Sequence, residues 1–173
     1  MFKRLFLLIT CSFFVHISQT TASPLPQVID RAHDLIGTPY RWGGNSEKSG
    51  FDCSGLMVYL FHHEADIKLP RTTAAMVKAG YKTVEKPHLK PGDAVIFARN
   101  GKGPINHVGL YIGDDKFIHA PRTGKNVRID SLSNNYWRRS YKTAKRFHEP
   151  PPRPFNATAA QQGLALQSHH RSR

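Results

Sequence analysis

Cysteine is almost missing from this chain, which has 173 residues and only Cys11 and Cys53. The N-terminus runs from the basic Met-Phe-Lys-Arg through an apolar stretch, Leu5 to Val15, to the small and polar "SQTTASP". That order is the order of a secretory signal, so residues 1–22 are expected to be removed after Ala22. Cys53 is then the one cysteine left, which excludes an internal disulfide in a compartment that permits them. The apolar stretch falls short of the roughly 18 residues needed to cross a bilayer, so a membrane anchor is not expected. Cys11 follows Thr10 in "LITC", a poor match to a lipoprotein acceptor, so lipidation is not expected either.

Acidic residues are also scarce: 12 Asp and Glu face 25 Lys and Arg, giving a net charge of +13 and a pI near 10.1. A surplus of that size suits an anionic partner such as cell-envelope polymers. The basic residues are dispersed and form no nucleic-acid-binding module, so no nucleic acid partner is expected. No internal repeat is visible.

After the signal, about 150 residues suffice for a single domain with a real core, assigned to 23–148. "PLPQVIDRAHDLIG" places Val28, Ala32, Leu35 and Ile36 on one face of a first helix, stopped by Gly37 and Pro39. "TPYRWGGNSEKSG" is loop chemistry. A second helix is expected from Asp52 or Cys53 to about Glu64, and "LPRTTAAMVKAG" predicts a short third one, capped by Thr72 or Thr73 and ended by Gly80. From Lys90 the pattern turns to strands: "LKPGDAVIFA", then "HVGLYIGDDKFIHA" as two strands around a Gly-Asp-Asp turn, then "VRID" and "YKTAKRF" with a turn or short helix between them. Helices first and an antiparallel sheet of five to six strands second make an α+β fold. Residues 149–173, rich in Pro, Gln and basic residues without apolar period, are expected to be a disordered tail.

The chemistry concentrates in "GFDCSGLMVYLF". A cysteine in the first turn of a helix meets unpaired N–H groups and the positive end of the helix dipole, which favour thiolate. Leu56, Met57, Leu60 and Phe61 are expected to bury the other face and fix the sulfur in place. A thiol nucleophile needs a base, usually histidine. His33, His62, His63, His88, His148, His169 and His170 have no apolar framing and read as solvated, whereas His107 and His119 sit inside strand patterns. A three-residue loop of Gly113, Asp114 and Asp115 pairs Ile112 with Lys116, Leu110 with Ile118 and Gly109 with His119. His107 and His119 then share a face as diagonal neighbours, roughly 7–8 Å apart. A two-residue loop would put them on opposite faces. The set is a nucleophile, a base and a group that orients the base, with helix-start N–H groups available for an oxyanion. Zinc is not expected, because Cys53, His107 and His119 include no closely spaced ligand pair.

The ordered segments "GTPYRWGG", "GFDCSGLMVYLF", "LPRTT", "LKPGDAVIF" and "HVGLYIGDDKFIHA", spread over roughly Gln27 to Phe147, resemble the NlpC family of bacterial cell-wall cysteine peptidases. The resemblance implies a papain-like fold in which Cys53 attacks a peptide carbonyl, His107 is the general base and His119 orients it. It also places Tyr40 in the site wall and at the intermediate, Asp52 and Ser54 at the free amino end of a stem peptide, and Arg71 near the substrate groove. Met76 is a departure, since many relatives carry glutamine there. The implied activity is peptidoglycan hydrolysis by an exported, monomeric cysteine endopeptidase without cofactor, acting on D-γ-glutamyl-diamino acid bonds or on peptide cross-links. Acyl transfer or amidase action on a non-wall substrate and a non-catalytic wall-binding module are the competing readings.

Overall fold

The computed structural model describes residues 23–98 and 101–149. The expected signal, with Cys11, and the tail beyond Glu149 lie outside the described residues. No helix among the described residues is long and apolar enough to cross a membrane.

The chain begins with α1 (Leu25–Asp34), a two-stranded ribbon of β1 (Asn45–Ser46) and β2 (Gly50–Phe51), α2 (Cys53–Ala65) and α3 (Thr73–Lys78). Then come β3 (Lys82–Val84), β4 (Ala94–Ala98), β5 (Ile105–Gly113), β6 (Lys116–His119) and β7 (Arg128–Ser131), followed by α4 (Asn135–Ser140) and β8 (Tyr141–Arg146). The last six strands form one antiparallel sheet in the order β3-β8-β4-β5-β6-β7. The fold is therefore α+β as expected, with α1 to α3 preceding the sheet and the short α4 between its last two strands in sequence. The three-residue strand β3 and the β1–β2 ribbon carry too little pattern to be seen in sequence. Ile36 is a correction: α1 stops at Asp34, and Ile36 lies past the helix end, 41% exposed instead of buried.

The sheet separates two apolar layers. On one side Val28 and Ala32 of α1 and Leu56, Met57, Leu60 and Phe61 of α2 pack with Ile96, Val108, Leu110 and Ile118. On the other, Val95, Phe97, Tyr111 and Phe117 pack with Leu132, Ala144 and Trp137. The central strand β4 is buried on both faces, which is why "AVIFA" is a continuous apolar run. Burying the four α2 side chains contributes about 1.5–3 kcal/mol each and fixes the helix that carries Cys53. Met76 is fully buried in the first layer, away from solvent.

The hairpin register departs from expectation and still delivers its consequence. β5 and β6 are joined by a two-residue turn, Asp114 and Asp115, both at positive φ, with Gly113 opposite Lys116. A bulge between Tyr111 and Gly113 leaves Ile112 over, so that Leu110 stands opposite Ile118. One inserted residue cancels the change of face that the shorter turn would impose. Odd-numbered His107 and His119 therefore share the face of Tyr111 and Phe117. Gly109 does not merely leave space beside His107: a Cβ there would come within 2.5 Å of the Phe117 ring and 3.2 Å of the His119 Cβ.

Candidate active site

Asp52 caps α2, its Oδ1 accepting the Gly55 N–H at 2.6 Å. Cys53 is thus the first residue of a helix whose opposite face is locked in the core. Its thiol is approached by the Val108 and Ser54 N–H groups and the Thr73 hydroxyl. Those contacts favour thiolate, but burial and then the Asp52 carboxylate outweigh them and push the Cys53 thiol up from its ordinary value. The expectation of a depressed thiol is corrected: the helix end supplies a fixed position, and the dry surroundings keep the proton on sulfur.

Val108 follows His107, so the strand that touches the sulfur also carries the imidazole. A second bulge, between Phe97 and Ala98 on β4, leaves Asn106 as the extra residue immediately before His107. His107 and Cys53 line one cavity of about 540 Å³. The His107 Nε2 lies 2.7 Å from Nδ1 of the fully buried His119, and His119 Nε2 lies 3.0 Å from Oδ2 of Asp130. Asp130 also accepts Trp137 Nε1–H at 2.9 Å and two Arg128 N–H groups at 2.8 and 3.1 Å. Burial opposes ionisation of Asp130, yet the hydrogen bonds from His119, Arg128 and Trp137 hold it far below the usual carboxylate range. An ionised carboxylate only accepts, so His119 carries its proton on Nε2 and offers Nδ1 as acceptor. His107 must then donate from Nε2, which leaves Nδ1 as its free lone pair. Burial and then the adjacent His119 ring push His107 down to about 3, so the resting thiol and imidazole are both uncharged. Trp137 stacks on His107 with ring centroids 5.4 Å apart.

The cavity is walled by the other residues singled out in the sequence: Tyr40, Asp52, Ser54 and Arg71 all face it. Arg71 pairs with Asp52 through two hydrogen bonds, 2.9 Å to Oδ1 and 2.7 Å to Oδ2, and also donates to the Ser54 hydroxyl at 2.9 Å. Burial works against the Asp52 charge, but Arg71 and the Gly55 N–H more than offset it, and the carboxyl stays below its ordinary value. Burial, followed by the nearby Cys53 and Asp52, raises the Tyr40 phenol, which keeps its proton. The loop bearing Tyr40 is pressed on α2 backbone to backbone: the Gly44 carbonyl accepts Asp52 N–H at 3.0 Å, and a Cβ on Gly55 would lie 2.0 Å from that oxygen. His33, His62, His63 and His88 are exposed, as expected.

Sequence reasoning missed Asp130 and Trp137. In the β6–β7 register Arg128 stands opposite His119, so Asp130 is a diagonal neighbour of that ring. The signal was a carboxylate inside the short strand "VRID", but the irregular connection after His119 gave no register for it.

The NlpC/P60 family model matches residues 37–146. The chain belongs to this family. Murein DD-endopeptidase MepH of Escherichia coli K12 is 47% identical over 116 residues, covering 66% of this chain and 43% of that protein. The gamma-D-glutamyl-L-lysine dipeptidyl-peptidase of Bacillus subtilis is 38% identical over 138 residues, covering 75% of this chain and 46% of that protein. The chain thus matches less than half the length of either relative. Among solved structures, an NlpC/P60 family protein from Bacillus cereus superimposes with a TM-score of 0.68 at 35% identity, covering 72% of this chain and 40% of that one. The papain-like α+β fold of the family is the fold described above.

Proposed function

We propose that this protein is a cysteine endopeptidase that hydrolyses the stem peptides of peptidoglycan outside the cytoplasm, as an exported monomer without cofactor. The observation that carries the reading is the convergence of Cys53 and His107 on one cavity, with His107 held by the relay to His119 and Asp130.

In the proposed reaction the peptide carbonyl carbon sits over Cys53. As Sγ bonds to it, His107 Nδ1 takes the thiol proton, so charge develops only while the oxyanion forms. The first-turn N–H of Cys53 and the protonated Tyr40 hydroxyl face that oxygen and stabilise it. Collapse expels the amine, which leaves with the proton from His107, and a thioester remains on Cys53. A water molecule, deprotonated by His107, then releases the acid and restores the thiol. Asp52, kept ionised by Arg71, presents negative charge with Ser54 at the acyl side of the cavity, where a free amino end of the stem peptide would be held. The bond is either the D-γ-glutamyl-diamino acid bond or a peptide cross-link; the two relatives carry one name of each kind. The basic surface adds attraction to anionic envelope polymers.

Digestion of purified cell wall tests this reading. Wild-type protein should release muropeptides whose masses identify the cut bond, and Cys53→Ala should release none. Equal release by the variant, or turnover of lipid amides and none of wall, would overturn it.

A further inference from the structure

The cleft does not stop at His107. A neighbouring cavity of about 450 Å³ shares Trp42, Asn106, His107 and Pro121 with the cavity of Cys53. A third, of about 430 Å³, shares Pro121, Arg122, Tyr136 and Trp137 with the second. Together they form one groove that leads from the sulfur past the imidazole to Arg122 and Arg128. We infer that this arm of the groove binds the amine side of the substrate, with Arg122 holding a carboxylate on the residue that supplies the leaving amine. The inference rests on the proposed peptidase reading and adds to it the side and charge of the second substrate half.

Direction follows from chemistry. His107 must hand a proton to the departing amine, so the amine-side residue lies at His107 and beyond it, while the acyl side lies toward Asp52 and Ser54. Charge follows from the partners on each arm. On the acyl side Arg71 is committed to Asp52 by two hydrogen bonds. On the other arm Arg128 is committed to Asp130 in the same way, and that carboxylate also serves His119 and Trp137. Arg122 is exposed, and its side chain has no hydrogen-bond or ion-pair partner among the described residues. It is the cation left to meet an anion in the groove. A diamino acid with a second carboxyl, left free when the first is amide-linked, brings such a carboxylate on the leaving side of a stem peptide, and a guanidinium binds it in a two-pronged fashion.

The backbone under Arg122 is built in place. Its carbonyl accepts Lys125 N–H at 3.1 Å, the Lys125 carbonyl accepts Tyr40 N–H at 2.9 Å, and Val127 exchanges backbone hydrogen bonds with Gly37 and Thr38 at 2.9 and 2.8 Å. The loop is therefore stapled to the segment that carries Tyr40. Trp42, 86% exposed, and Tyr136, 51% exposed, stand on the walls of the same groove as large apolar surfaces free to pack on a ligand.

Titration calorimetry of the full chain carrying Cys53→Ala tests this without turnover. The probes are the dipeptide of a diaminodicarboxylic acid with D-alanine and the same dipeptide with only the second carboxyl of the diamino acid amidated. Adding Arg122→Ala should weaken the free acid about tenfold or more, as expected for a lost charge-assisted pair. Arg122→Lys should recover part of that loss, and the amidated probe should bind weakly and equally to all three proteins. Equal affinity of the free acid with and without Arg122, or an equal loss for both probes, would overturn the inference. Failure of wild-type protein to act on wall would count against the peptidase reading alone, because the binding measurement needs no catalysis.

Discussion

Replacing Asp130 separates the electrostatic from the orienting part of the relay. Asp130 Oδ2 receives three donors, from His119, Arg128 and Trp137, while Oδ1 receives one from Arg128. In Asp130→Asn the amide oxygen will occupy the three-donor position, since turning the NH₂ there would set it against all of them. The His119 and His107 tautomers therefore survive, while the charge and the Arg128 Nε–H bond to Oδ1 are lost. In Asp130→Ala nothing selects Nε2–H on His119, so His107 can present N–H, instead of a lone pair, to the thiol. A hydrogen bond to a charged group is worth about 1.5–3 kcal/mol and a neutral one about 0.5–1.5. Asp130→Ala should then lower kcat by about 10- to 150-fold and Asp130→Asn by about tenfold, with KM little changed on a purified muropeptide. Ring ¹⁵N shifts should show His107 Nδ1 unprotonated in wild type and in Asp130→Asn, and mixed in Asp130→Ala. Wild-type kcat in Asp130→Ala, or equal losses in both variants with unchanged ring shifts, would refute the relay.

The raised Cys53 pKa predicts how the thiol alkylates. Because thiolate forms only above the ordinary thiol range, the iodoacetamide rate should climb steadily past pH 9; a plateau already reached near neutrality would mean an ion pair at rest. Low His107 basicity keeps the base neutral in mild acid, so kcat/KM should lose little between pH 7 and about pH 5. Gly55→Ala drives a methyl into the Gly44 carbonyl and should lower stability by about 1–3 kcal/mol, read from the urea midpoint; an unchanged midpoint would show that the Tyr40 loop is not pinned to α2.

Much of this site was legible because its parts are local. Asp52 before Cys53, with Gly55 and the apolar residues behind, specifies a capped and anchored helix within a few residues. The histidine pair was legible through strand alternation, although the turn was misread. Gly-Asp-Asp does not reveal that a bulge at Ile112 compensates the two-residue turn, since only the competing demands of both apolar layers decide that register. Asp130 stayed hidden because its tie to His119 depends on how an irregular eight-residue connection brings β7 beside β6. The thiol pKa was misjudged for a related reason: the helix end is visible in sequence, while the burial that opposes it comes from β5 and α3, distant in the chain. Glu149, one residue past the expected boundary at 148, pairs with Lys82 at 2.7 Å.

Intact-protein mass spectrometry after acid quenching tests the nucleophile most directly. Wild-type protein mixed with a stem peptide should carry the mass of the acyl fragment, mapped to Cys53, within the first turnover, and Cys53→Ser should not show the thioester. Product formation at the full rate with no adduct at any quench time, or an adduct on another residue, would contradict the account.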